Sequence, residues 1–493
     1  MSWRLLRAWR PGLLVMVALL TGCASQGALL DRVDDDVQRG QTERALESLE
    51  GLSGSRRNQS LYWLNRGMLL RMQGDLDGSI AAFERAKDVI GELQPLSVSE
   101  TVAAWAVAED SGAYVPPTHE HLLLHVYQAL NFLQRGDLDA ARVEALQIDL
   151  GLRRIDPVDG RAPRGGDAFP RYLSGIIFEA AGDWSDALIA YRKALQAYDR
   201  QETAIPRDLQ TSLVRFTDYQ DLVDERDGYL QRFGIEAWEP LDRDRREATL
   251  VVVLHDGQAP RLREEGLVLP HPSENRLLRV SLPALQRRPS PLTGARLRAV
   301  GREVEADLAD DVAGSADRWL ASLLPGITAR VVSRNVARDV ATRRLEQENE
   351  LLALVLNVAG TIVDNADVRS WRSLPDRLLV SRLTVPAGSI DWQLEVLGRG
   401  SGVIDVLDGT VDLRPGETRV LGAHWINRFI PGSAGSQARS VRQTFPQDPL
   451  EIHQMPGVGA EIGLADAGAG TDLNAAAGWR RLDLNAEIVP EAE

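Results

Sequence analysis

Cysteine and lysine are nearly missing from this chain of 493 residues, which has one cysteine, Cys23, and two lysines, Lys87 and Lys193. A single thiol cannot form an intramolecular disulfide, and thiolate metal sites need several cysteines. The common enzyme signatures are also missing, because the sequence has no G-x-S-x-G elbow, no phosphate-binding loop with its lysine, no S-x-x-K pair and no zincin helix. We therefore predict a protein that is not an enzyme and that has no cofactor and no metal site.

Charge and length set further limits. The formal net charge of -15 disfavours binding to nucleic acid over any large area, because phosphates are repelled by such a surface. A chain of this length usually forms more than one hydrophobic core, so we expect two or three domains.

The first residues have the order of an export signal. Three arginines lie within residues 1–10, and an apolar stretch follows over residues 13–20 that is too short to span a bilayer. It ends in Leu-Thr-Gly-Cys at Cys23, a pattern that resembles the lipobox of bacterial lipoproteins. The resemblance implies that residues 1–22 are a signal peptide and that Cys23 is acylated. Because Ala24 follows and not aspartate, it also implies the outer membrane, facing the periplasm. The alternative is an ordinary signal peptide with a chance cysteine.

The first half contains internal repeats, and the clearest unit runs over residues 61–90. This unit resembles a tetratricopeptide repeat (TPR), in which two antiparallel helices approach closely where small residues remove side-chain bulk. The resemblance assigns the large residue of the first helix to Trp63, its small residue to Gly67, the turn to Gly74, and a large residue of the second helix to Phe83.

Three further turns have the same character. Gly40 precedes Gly74 by 34 residues, which is the TPR period, and Gly136 and Gly182 follow it at longer spacings that indicate inserts. In the last unit Gly175 and Tyr191 occupy the positions of the small and the large packing residue. We predict a TPR-like helical domain over residues 23–235 whose concave surface binds a protein partner. The alternative is that these helices only cap a second domain.

Two clusters of side chains are candidate sites. His119, His121 and His125 lie in one helical segment, and the last two have a spacing that zinc sites use, but packing or solvated histidines are the preferred interpretation. A second candidate, for interaction, is a basic stripe that repeats every four residues along a helix. It could contact lipid phosphate or an acidic partner, or it could be a solvated face with acidic neighbours. The stripe consists of Arg330, Arg334 and Arg338.

The second half changes its hydrophobic period. Residues 248–254 form a buried strand pattern, residues 276–283 and 295–308 indicate more strands, and residues 312–362 indicate helices broken near Pro325. Strand patterns resume between residues 377 and 423. We predict an α+β fold, with an antiparallel sheet domain over residues 245–430 that carries inserted helices. The composition of residues 431–493, rich in Gly, Ala, Pro and Asp, predicts a disordered tail.

Several diffuse motifs resemble a family of uncharacterised outer-membrane lipoproteins of Gram-negative bacteria that have TPR-like repeats at the N-terminus. The motifs include ALNFL at 129–133, LSG at 173–175, GQAP at 257–260 and ADVRSW at 366–371. The resemblance implies a position beside a penicillin-binding-protein activator lipoprotein, and hence an envelope assembly. It implies no catalytic residues.

These observations predict a lipid-anchored periplasmic scaffold that binds other envelope proteins through its repeats. The alternative is a peptidoglycan-active, glycosidase-like enzyme that the repeats position on its substrate, because pairs of carboxylates cannot be assigned without a fold. A structural subunit of a ring or secretion complex is a third possibility.

Overall fold

The computed structural model describes residues 27–93, 112–155, 166–241, 246–270, 277–348 and 367–426. The predicted signal peptide, Cys23 and the predicted tail lie outside these ranges, so their assignments stay predictions. Within the described residues, no helix is long and apolar enough to cross a membrane.

Ten helices of the described N-terminal part are arranged as five antiparallel hairpins. The hairpins pair α1 (27–38) with α2 (Thr42–Leu49), α3 (Gln59–Met72) with α4 (Leu76–Leu93), α5 (Thr118–Arg135) with α6 (Leu138–Ile155), α7 (Ala168–Ala181) with α8 (Trp184–Gln201), and α9 (Arg207–Tyr219) with α10 (Val223–Phe233).

The hairpin turns depend on a left-handed residue. Gly74, Gly136 and Gly182 have φ angles of 84°, 83° and 81°, which only glycine adopts without steric cost. In the fifth hairpin the left-handed residue is Asp221, with a φ of 57°. Because this turn has no glycine, the hairpin could not be recognised in the sequence as a further repeat.

Among the residues that the structure describes, ten strands form two four-stranded sheets and one two-stranded ribbon. Sheet A has the order β10-β1-β7-β6, sheet B is the ribbon of β2 and β3, and sheet C has the order β5-β4-β8-β9. Their bounds are β1 Glu247–Asp256, β2 Arg261–Pro270, β3 Leu277–Gln286, β4 Gly294–Ala299, β5 Arg302–Glu305, β6 Asp307–Asp311, β7 Arg377–Pro386, β8 Gly388–Leu397, β9 Val403–Leu413 and β10 Thr418–Trp425. The helix α11 (Val312–Glu348) separates β6 from β7.

The α+β class predicted from the sequence is confirmed, with one difference in the sheet. The strands β1 and β10 run parallel, with Thr249 beside Thr418 and Asp256 beside Trp425, whereas the other pairs are antiparallel. The chain leaves sheet A after β7, forms β8 and β9 in sheet C, and re-enters at the starting end of β1. A period-two pattern in the sequence identifies a strand but does not show whether it pairs parallel or antiparallel to its neighbours.

Sheet A is the middle of three layers. Val251 and Val253 of β1 belong to the same hydrophobic core as the helices, while Leu250, Val252 and Leu254 pack into a second core with sheet C. Burial on both faces explains why residues 248–254 read as a continuous apolar run. The helices, sheet A and sheet C are therefore stacked, with β1 at the centre.

The structure differs from the sequence predictions in three places. The segment 295–308, predicted to be strand, is interrupted by a turn at Val300 and Gly301 and supplies β4, β5 and the beginning of β6. The strand β2, with Arg263, Glu264 and Glu265 in its middle, was not predicted because its pattern is polar.

The predicted break at Pro325 is also wrong, because α11 continues through this residue. Leu323 and Ile327, on either side of it, are buried against Val280 and Leu282 of β3. This packing offsets the one backbone hydrogen bond that proline removes.

Candidate interaction site

The inner surface of the helical array is in contact with the chain's own sheet region. The first helix of three hairpins supplies a polar side chain to this contact. Asn65 of α3 accepts a hydrogen bond from the Ser373 hydroxyl at 2.9 Å, and Glu120 of α5 accepts one from the backbone N–H of Trp371 at 3.1 Å. Along α7, Glu179 pairs with Arg382 of β7. A groove that could have held an extended peptide is thus largely filled from within the chain.

Trp371 is the centre of this contact. Its side chain is 1% exposed, and its ring lies 5.8 Å from the ring of Phe83 and 6.0 Å from that of Tyr127, in edge-to-face geometry. The indole N–H donates to the Ser373 hydroxyl at 3.0 Å. The segment before β7 is therefore anchored among the helices by one large aromatic residue.

A buried charge network joins α7, α8 and β7. Burial by itself would raise the pKa of Glu179, but the Arg382 guanidinium, together with Arg215 and the Tyr191 hydroxyl, outweighs that effect, and the net shift of the pKa is downward. Tyr191 donates a hydrogen bond to the same carboxylate at 2.5 Å. The network ties the repeats to sheet A by charge as well as by apolar packing.

The predicted packing residues occupy the following places. A Cβ atom added to Gly67 would lie 2.4 Å from the ring of Phe83, and one added to Gly175 would lie 2.3 Å from the ring of Tyr191. Phe83 and Tyr191 are fully buried, and Trp63 is half-buried. The glycines of the turns are Gly74, Gly136 and Gly182.

The three histidines have different neighbours in the structure. His119 is buried, its ring lies 5.9 Å from that of Trp319, and burial lowers its pKa to about 3. His125 turns toward Glu144, with Nδ1 2.7 Å from Oε2, and its ring lies 5.4 Å from that of His121. In the part of the chain that the structure describes, no three His, Cys, Asp or Glu side chains form a group that could hold a metal.

The basic stripe lies on α11. Arg330 and Arg334 are half-buried, and each makes a polar, ring or electrostatic contact, whereas the side chain of Arg338 lies outside the described residues. The stripe as an interaction surface stays a prediction.

A cleft opens where α5, β2, α11 and the segment 367–374 meet. It encloses about 60 Å³ and is lined mostly by apolar side chains. Its polar groups include Tyr114, Glu120 and Ser370, and the buried Ser370 hydroxyl has no hydrogen-bond partner among the described residues. Burial raises the pKa of Glu120 to about 7, although Tyr114 donates a hydrogen bond to this carboxylate. The cleft can accept a small apolar group with a polar atom beside it.

Sequence reasoning missed this cleft. Its walls come from residues 113–120, 259–262, 312–319 and 367–374 and from Leu285 of β3, which only the fold brings together. Arg369 forms an ion pair with Asp367 at 2.6 Å and donates a hydrogen bond to the backbone carbonyl of Gly112 at 3.0 Å. These contacts connect one wall of the cleft to the segment that precedes α5. No local pattern in the sequence indicates such a contact.

Comparison with known proteins identifies the first two hairpins. A model of the tetratricopeptide repeat family matches residues 30–94, which include most of α1 and all of α2 to α4. The helical region contains tetratricopeptide-like repeats. The repeats predicted from the sequence are thereby confirmed, and TPRs suggest a protein–protein interaction scaffold.

Other comparisons add little. A search of curated proteins finds no match to the chain. The crystal structure of BtubC (BKLC) from P. vanneervenii is 14% identical, with 44% of this chain and 85% of that chain covered and a TM-score of 0.30. A tetratricopeptide repeat protein from Parabacteroides merdae is also 14% identical, with 44% and 81% covered and a TM-score of 0.20. Likenesses this weak carry no argument about the arrangement of the TPRs.

Proposed function

We propose that this protein is a non-enzymatic scaffold, anchored to the outer membrane through Cys23, that holds a protein partner on the periplasmic side. The lipobox-like sequence at Cys23 and the export signal before it support the anchor. The TPR match supports the scaffold. The family resemblance favours an envelope partner, with a penicillin-binding-protein activator lipoprotein as the first candidate.

One observation carries the choice of the docking site. The inner surface of the repeats is filled by Trp371 and its neighbours, so a partner cannot use the groove that TPRs usually offer. The cleft beside Glu120 is where helices and sheet region jointly leave an open apolar surface. A partner that inserts one apolar side chain there would contact both regions at once.

The docking site can be tested by photo-crosslinking. A photoreactive amino acid at Trp319, which lines the cleft, should capture a discrete partner from intact cells, whereas the same group at the exposed Ala321 of the same helix should not. Ala316→Phe, which fills the cleft, should abolish the capture. Equal capture from both positions, or recovery of the chain alone, would count against the proposal.

The anchor and the absence of catalysis are tested separately. Metabolic labelling with palmitate should mark the full chain and should not mark Cys23→Ser. Purified protein should release nothing from peptidoglycan. Product release that one carboxylate substitution abolishes would favour the glycosidase-like alternative instead.

A further inference from the structure

The outer helix α6 carries an apolar stripe on its solvent side. Val143, Leu146 and Leu150 are 53%, 58% and 42% exposed. Their spacing of three and four residues places them on one face of the helix, which is the spacing by which one helix packs against another. The opposite face, with Ala145 and Ile148, is buried in the repeats. The exposed apolar side chains are thus not needed for the packing of α6 within the chain.

The neighbouring helix α8 extends this patch. Lys193 contacts Asp149 at 2.6 Å, which holds α8 beside α6. One turn before Lys193, Ile189 is 46% exposed. The apolar surface therefore spans two adjacent outer helices, and Val143, Leu146, Leu150 and Ile189 are called the outer patch below.

Charges of opposite sign stand at the two ends of the stripe. Asp139 lies seven residues before Leu146 and Arg153 lies seven residues after it, both on the same face of the helix. The Asp139 side chain is 96% exposed and that of Arg153 is 71% exposed, although each also has an ion-pair contact within α6. The face thus has an acidic end, an apolar middle centred on Leu146, and a basic end.

We propose that two copies of this chain associate through the outer patch, with their α6 helices antiparallel about a two-fold axis near Leu146. In this arrangement Asp139 of each copy meets Arg153 of the other, and the apolar residues pack in the middle. Parallel helices would bring like charges together at both ends, which is unfavourable. Because the patch is small, we expect a dissociation constant of about 1–100 μM for the dimer, which is at the weak end for specific interfaces.

Sedimentation of the full chain in detergent tests the association. Leu146→Asp should convert the dimer to monomer, because it places two carboxylates at the centre of an apolar contact. Val300→Asp is the matched control. Val300 is 52% exposed on the β4–β5 turn, and its φ of 51° suits aspartate. A monomer at every concentration of the unaltered chain, or a dimer that Leu146→Asp leaves intact, would overturn the proposal.

An exchange of charges tests the orientation. Asp139→Arg and Arg153→Asp should each weaken the dimer about tenfold, since each creates two like-charge contacts per dimer, and the double variant should recover the original affinity. Additive losses in the double variant would contradict the antiparallel arrangement.

A crosslink identifies the occupant of the patch in the cell. Leu146→Cys in a Cys23→Ser background should form a disulfide-linked dimer of the full chain under mild oxidation. Crosslinking of position 146 to a different protein would show that the outer patch serves another partner, and it would overturn self-association. These outcomes do not depend on capture at Trp319, so this inference and the proposed docking cleft can fail independently.

Discussion

Two glycines of the repeats leave no space for a side chain. The ring of Phe83 covers Gly67 and the ring of Tyr191 covers Gly175, so each helix pair touches through an aromatic face laid on bare backbone. The rings fill the space that a Cβ would need, and neither ring can move without disturbing the buried core around it. In these two hairpins, the close approach of the helices thus requires that the glycine has no Cβ atom.

We expect Gly67→Ala to destabilise the protein by about 1–3 kcal/mol, because its Cβ would overlap the Phe83 ring. Gly91→Ala, near the end of α4, is the matched control, since a Cβ there meets nothing within 4 Å. The control should be neutral or stabilising by about 0.5–1 kcal/mol, as expected for alanine in a helix. Urea unfolding followed by circular dichroism measures both variants. Equal effects at the two positions would contradict the packing argument.

Glu120 should make stability depend on pH. Its pKa is raised to about 7 by burial, against 4.5 for the unfolded chain. The folded state therefore retains a proton that the unfolded state has lost, so the free energy of unfolding falls as pH rises from about 4.5 to 7.

We expect Glu120→Gln, which cannot titrate, to lack this fall and to gain stability relative to the original chain across that window. The gain should approach roughly 1.4 kcal/mol for each unit of pKa shift. Chemical unfolding at pH 5, 6, 7 and 8 measures it, with the exposed Glu43→Gln as control. Parallel curves for Glu120→Gln and the original chain would show that folding does not raise the pKa of this carboxyl.

At the scale of elements, the helices could be predicted from the sequence more completely than the sheets. Glycine turns and large-to-small packing patterns repeat locally, so the residues around Gly74 and Gly182 were sufficient to predict hairpins. The parallel register of β1 and β10 involves residues more than 160 positions apart, and no local pattern encodes it. The cleft around Glu120 was missed for the same reason, because five separate parts of the chain build it.

The link between α7 and β7 depends on the Arg382–Glu179 pair. Both side chains are buried, and removal of one partner leaves an unpaired charge in the interior, which typically costs about 3–5 kcal/mol. We expect Arg382→Leu and Glu179→Leu each to lose stability of that order, and the double variant to lose clearly less than their sum. A double-mutant cycle by urea unfolding gives the coupling energy.

An exposed ion pair supplies the control for this cycle. Arg39 and Asp35 are 3.7 Å apart, with side chains 60% and 56% exposed. Arg39→Leu should cost at most about 1 kcal/mol. Additivity of the Arg382 and Glu179 substitutions within about 0.5 kcal/mol would show that the two side chains act independently.

At the scale of the molecule, helices and sheet share one interior. Val251 and Val380 of sheet A lie in the same hydrophobic core as Phe83 and Tyr127 of the repeats. The sequence predicted both regions but gave no indication that the second would fill the groove of the first. A capping role and a scaffold role for the helices are therefore compatible, since the repeats enclose sheet A with one face and leave their outer helices exposed on the other.

We expect the repeats to depend on sheet A for their stability. A fragment of residues 24–241 would expose the apolar surface that Trp371 and β1 cover, so it should bind a hydrophobic dye and melt at a lower temperature than the chain of residues 24–426. The longer chain should unfold in one calorimetric transition whose van't Hoff and calorimetric enthalpies agree, because its two regions share a core. Two separate transitions, one of them matching the isolated repeats, would show that the helices fold on their own and that sheet A is an independent occupant of their groove.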